Sequence, residues 1–162
     1  MKTKFNISMW GLMAVLAVFF VACNEKEQGD VTKPVVRLIE PEDGDQLLIG
    51  DEHGVHFEME LSDDVMLKSY KINIHPNFDH HGHNLSKAAT DGHATEDFNF
   101  NRAYDLSGMR NAQIHHHDIV IPANATPGDY HLMVWCTDAA GNQTQVVRNI
   151  VLSHDAPEHE HH

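Results

Sequence analysis

The sequence predicts an all-β sandwich. No long stretch after residue 30 carries the 3.6-residue apolar period of a helix, short runs alternate apolar and polar residues, and clusters of Gly, Pro, Asn and Asp separate those runs. Within the folded part the only cysteine is Cys136, so no intrachain disulfide can staple it and packing must hold it. About 140 residues remain after the leader, enough for one domain with its own core.

Val35 to Ile39 is the first strand, stopped by Pro41-Glu42-Asp43-Gly44-Asp45. In the second, Val55, Phe57, Met59 and Leu61 alternate with His56, Glu58 and Glu60, which gives one core face and one wet face. Ser62-Asp63-Asp64 turns the chain, and Tyr70, Ile72 and Ile74 then alternate with Lys71, Asn73 and His75. Phe98 and Phe100 alternate with asparagines and suggest a short strand near residues 97–101. Ile119 and Ile121 mark a later strand that ends at Pro122. Tyr130, Leu132, Val134 and Cys136 alternate with His131, Met133 and Trp135. A hairpin turn follows at Asp138-Ala139-Ala140-Gly141-Asn142, with Gly141 suited to positive φ. The last strand returns over Gln145 to Leu152.

The run from Pro34 to Pro41, the Ser62-Asp63-Asp64 turn before Leu67 to Ile72, and the run from Gly128 to Asn142 resemble a bacterial immunoglobulin-like domain. Such domains place a tyrosine near the start of the penultimate strand and an Asp-x-x-Gly-Asn type turn after it, as Tyr130 and Asp138 to Asn142 stand here. The resemblance spans roughly residues 33–75 and 117–152 and departs from antibody domains in lacking paired cysteines. More narrowly, the chain is similar to a family of histidine-rich bacterial lipoproteins named only as a domain of unknown function, DUF4625. That resemblance implies an immunoglobulin-like β-sandwich and a membrane address, and no activity.

The first residues read as a secretion signal. Lys2 and Lys4 precede an uncharged apolar run from Trp10 to Val21, too short for a spanning helix and closed by small residues. Phe20-Val21-Ala22-Cys23 resembles the lipobox of bacterial lipoproteins, with phenylalanine where leucine is usual. The resemblance implies cleavage after residue 22 and a diacylglyceryl group on Cys23, hence a membrane partner and outer-membrane anchoring on the periplasmic or cell-surface face. Residues 23–32 then form a polar tether, residues 33–153 the sandwich, and residues 154–162 a histidine-rich tail expected to be disordered.

Charge narrows the partners. Lysine and arginine number 11 against 24 acidic residues, a formal charge of −13. A leader carrying two lysines and no acid takes the mature charge to −15 when it leaves. Such a surface repels nucleic acid and attracts cations.

Fifteen histidines stand against this background, many of them grouped. Neutral imidazole is the commonest protein ligand for zinc, copper and nickel. The sandwich is expected to be interrupted over residues 76–116, a connection long enough to carry function. His75, His80, His81 and His83 with Asp79 offer four imidazoles and a carboxylate within nine residues, and Gly82 lets that loop fold back. In an immunoglobulin-like topology the strand ending at His75 pairs with the one beginning at Tyr130, so the outward positions His75 and His131 become neighbours. His115, His116 and His117 form a second group, in which alternation sends His116 away from the other two. Candidate metal ligands are therefore His75, His80, His81, His83, His131, His115 and His117. His53 and His56 are expected at the same end as His75, more as surface than as ligands.

Cys136 faces inward and reads as core, and Asp63, Asp64, Asp138 and Asn142 read as turn formers. There is no His-Glu-x-x-His helix and no Gly-x-Ser-x-Gly elbow, so no enzyme is expected. The reading is a lipid-anchored, extracytoplasmic protein that binds a divalent transition metal for capture, buffering or delivery to an outer-membrane transporter. Zinc comes first because histidine with carboxylate suits it, ahead of copper and nickel. The alternative is an adhesion or scaffold module that binds protein or glycan through a solvated histidine face.

Overall fold

The computed structural model describes residues 29–78 and 94–157. Cys23, His80, His81, His83 and residues 158–162 lie outside the described residues. Among the described residues eight strands run in order: β1 Val35–Glu40, β2 Gln46–Leu48, β3 Val55–Ser62, β4 Leu67–Pro76, β5 Phe100–Asp105, β6 Asn111–Ile119, β7 Gly128–Asp138 and β8 Gln143–Ser153. They form two sheets, β1-β3-β6 and β2-β8-β7-β4-β5, packed as a sandwich. All neighbours pair antiparallel except β2, which runs parallel to β8. Among the described residues no helix is long and apolar enough to cross a membrane.

The period-two pattern on β3, β4 and β7 translates directly into burial. Phe57, Met59, Ile72, Ile74, Tyr130, Leu132, Val134 and Cys136 are fully buried, while the residues between them face outward. Burial first, then the carboxylates of Asp63 and Asp138, push the Cys136 thiol up to about 11. It is therefore a protonated core group at neutral pH, not a nucleophile. The Tyr130 hydroxyl donates to the Thr126 carbonyl at 2.8 Å and accepts from Phe98 N at 3.3 Å, tying the start of β7 to the chain on both sides. Asp138 closes the β7–β8 hairpin, since its Oδ1 accepts from the Gly141 and Asn142 amides at 2.6 and 2.8 Å.

The chain between β4 and the later strands differs from expectation. Residues 100–105 and 111–119 are strands of the two sheets, so the connection spans 77–99 and not 76–116. The suggested strand near 97–101 begins at Phe100 and runs to Asp105. Its pattern was faint because β5 is an edge strand, with Asn101, Arg102 and Ala103 all exposed. The strand marked by Ile119 is longer than its isoleucines suggest: β6 begins at Asn111, opposite Ser62, and takes in His115 to His117. The ends are also more engaged than a free tether and tail. Thr32 Oγ1 donates to Asp64 Oδ2 at 3.1 Å, and Ala156 is buried.

Candidate metal centre

The outer face of the three-stranded sheet gathers the first histidine group. On β3 the outward residues are His56, Glu58 and Glu60, and Glu58 sits directly opposite His115 on β6. Between Val55 and Phe57 the register shifts, because Val55 pairs with Ile119 whereas Phe57 pairs with His116. Two residues of β6, His117 and Asp118, thus face the single residue His56. Such a bulge bends the strand and re-aims side chains. Here it points His117 across the sheet toward His56 and sends Asp118 to the edge. Asp118 Oδ2 there accepts from Arg102 Nη1 and from the Tyr104 hydroxyl, each at 3.1 Å.

His56, His115 and His117 converge. Their ring centroids lie 4.7, 5.2 and 5.3 Å apart, and each offers a nitrogen within 4.8 Å of the others. A zinc ion 2.0–2.1 Å from each nitrogen would need those nitrogens about 3.3 Å apart, a closure that side-chain rotation supplies without moving the sheet. Glu58 Oε2 lies 3.8 Å from His56 Nε2, positioned to act as a fourth ligand or to orient the imidazole. His115 is exposed and His56 and His117 are half-buried, and His56 and His115 line a groove together with Glu58, Glu60 and Gln113. Gly54 fixes the backbone beside them. Its φ is +81°, and a Cβ there would fall 2.1 Å from the His117 carbonyl oxygen.

His116 points the other way, as alternation required. Its ring stacks between Phe57 and Tyr104, with centroids 4.9 and 5.2 Å away, and Nε2 is buried with no hydrogen-bond partner among the described residues. Burial first holds this imidazole below its ordinary value, helped by Arg102, His117 and His115 and opposed by Asp118. The unfolded chain therefore takes up this proton at higher pH than the folded one. Stability from a neutral His116 is complete above about pH 6.5, the unperturbed histidine value, and is lost as pH falls below it. His116→Phe keeps the stack and removes the proton, so in chelator it should flatten the decline in urea stability between pH 7.5 and pH 5. Parallel declines in variant and wild type would show that this ring does not govern acid stability.

The second group is a pair on the opposite outer face, that of the five-stranded sheet. His75 on β4 lies directly across from His131 on β7, as the topology and parity implied, with ring centroids 5.6 Å apart. Asn73 fixes one of them. Its Nδ2 donates to the Phe100 carbonyl at 3.1 Å, so its Oδ1 faces His75 Nδ1 at 2.7 Å and accepts from it. That tautomer leaves His75 Nε2 with its lone pair outward, the arrangement seen in metal-bound imidazoles. The two groups lie on different faces of the sandwich and cannot share an ion. His80, His81 and His83, grouped with His75 by their spacing, fall outside the described residues.

His56 is the ligand candidate that sequence reasoning set aside. The signal was present in the equal outward parity of His56 and Glu58 on one strand and of His115 and His117 on another. The missing information was that β3 and β6 are neighbours. The family model for a domain of unknown function, DUF4625, matches residues 21–153. The chain belongs to that family. The match covers all eight strands, and both histidine groups on the outer faces, His56 with His115 and His117 and His75 with His131, fall inside it. No curated protein matches the chain.

Proposed function

We propose that this DUF4625 protein is a lipid-anchored, extracytoplasmic metal-binding protein that captures a divalent transition metal for buffering or for delivery to an outer-membrane transporter. The observation that carries the reading is the convergence of His56, His115 and His117 on one strand pair. Three imidazoles held by hydrogen-bonded strands are pre-positioned, so binding needs little ordering of chain. Glu58 beside His56 adds a hard anionic donor, and a set of histidine with carboxylate favours zinc, with copper(II) and nickel next. The formal charge of −13 concentrates cations near the surface. The His75–His131 pair supplies two further nitrogens on the other face as a weaker site.

The test is elemental analysis of untagged protein purified without a metal column, followed by zinc titration calorimetry on the chelator-treated chain. Bound zinc, and a tight titration of at least one ion per chain, is the expected result. No metal by analysis together with a flat titration would reject the reading in favour of a protein- or glycan-binding module. The anchor is tested separately. Cys23→Ala should move the protein from washed membranes to a soluble fraction, because two acyl chains at about 0.8 kcal/mol per buried methylene would no longer hold it. Retention of the variant in membranes would reject lipidation at Cys23.

A further inference from the structure

A second cluster of ligating groups lies away from the histidines, where the segment leading into β1 meets the turn between β3 and β4. Asp30, Asp63 and Asp64 each offer a carboxylate oxygen within 4.8 Å of the others. None of the three makes an ion pair among the described residues. The nearby cation, Arg110, is engaged through Nη2 with the Asp64 carbonyl.

Asp63 makes the cluster more than an acidic patch. It is only 9% exposed, and its Oδ1 is taken by the Val65 and Met66 amides at 3.0 and 2.7 Å. Its Oδ2 is buried from solvent and has no hydrogen-bond partner among the described residues. A buried carboxylate oxygen with nothing to accept from costs the desolvation of that group, more than for a neutral one, unless a cation satisfies it. Asp30 and Asp64 each bring a carboxylate oxygen within 4.8 Å of an oxygen of this carboxylate, which adds repulsion and supplies the remaining anionic donors.

We infer that Asp30, Asp63 and Asp64 bind a calcium ion that clamps the segment before β1 to the β3–β4 turn. The donors are all oxygen, which excludes a preference for zinc or copper. Three carboxylates with no further protein donor set among the described residues suit calcium, which accepts six to eight oxygen ligands in flexible geometry, better than magnesium, which demands a near-ideal octahedron. Asp64 is exposed and Asp30 half-buried, so water can complete the shell. Asp30 is further fixed by its own contacts: Oδ1 accepts from Thr32 N at 2.9 Å, and its carbonyl accepts from Asn142 Nδ2 at 3.1 Å. The ion would thus stiffen the joint through which the N-terminal segment enters the sandwich. With three carboxylates and a partly open shell, the dissociation constant should be on the order of 10⁻⁴–10⁻³ M, the range of extracellular calcium modules.

The experiment is calcium titration calorimetry on the chelator-treated full chain at physiological salt, paired with thermal melts with and without calcium. One calcium per chain and a raised Tm are expected. Asp63→Asn keeps an oxygen for the two amides and replaces the unpartnered oxygen by an NH₂ group, so it should weaken calcium binding at least tenfold and abolish the Tm shift. Asp30→Ala, at a site outside every strand, should do the same without touching the fold, and both variants should retain zinc binding. Calcium that fails to bind at millimolar concentration, or that binds both variants as it binds wild type, would overturn the site.

Discussion

Leu132→Ala should destabilise the protein by roughly 2–5 kcal/mol, the cost of a large-to-small change where the surroundings cannot collapse. Leu132 sits on β7 between β4 and β8, the two strands that flank it in the five-stranded sheet, and it is fully buried. Its partners Ile74 and Arg148 are held by antiparallel ladders on both sides, so the backbone cannot move in to fill the void. His131, one residue earlier, points outward from the same strand. His131→Ala should therefore stay within about 0.5 kcal/mol of wild type, as surface substitutions usually do. Urea unfolding of both variants in chelator checks the contrast. Equal midpoints for the two would mean that the faces of β7 are assigned the wrong way round.

The contrast shows what the sequence could disclose. On β3, β4 and β7, each flanked on both sides, the buried positions recur at every second residue and are apolar from Val55 to Leu61, from Tyr70 to Ile74 and from Tyr130 to Cys136, so alternation alone identifies these strands. The His75–His131 pair followed from that alternation plus the antiparallel pairing of β4 with β7. Edge strands are harder. On β5 only Phe100 and Tyr104 are part-buried, and that pattern does not stand out from a loop. β2 has three residues and pairs parallel to β8, a contact with no local signature.

The histidine run on β6 was ambiguous for a specific reason. Strict alternation gives His115, His117, Ile119 and Ile121 the same face, yet both isoleucines are buried while His115 is exposed. No unbroken strand satisfies all four. The bulge opposite His56 does, by inserting one residue so that His116 and Ile119 both point inward. The conflict in parity was itself the visible trace of the bulge. What it could not reveal was the strand across from it, and hence that His56 completes the group. The acidic cluster was less legible still, since Asp30 and Asp63 meet only through the path of the chain before β1.

The sharpest test of the metal centre is a comparison of four variants in zinc titration. Replacing both His115 and His117 by alanine removes two of three converging imidazoles, and a two-residue deficit cannot be repaired by the sheet. The loss should exceed the roughly 10–100-fold that follows removal of a single outer-shell partner. His56→Ala alone should give a smaller loss in the same direction, because His115 and His117 remain 5.3 Å apart. Alanine at both His75 and His131 should leave the tight site intact and remove a weaker one. Deleting residues 154–162 should matter least, because it leaves every strand-borne imidazole of the two groups in place. Affinity should also fall as pH drops from about 7 to 5, since protons compete with the ion for imidazole nitrogen. If the His115/His117 variant binds zinc as wild type does while the truncated chain binds none, the ligands reside in the tail and the strand-borne centre is wrong.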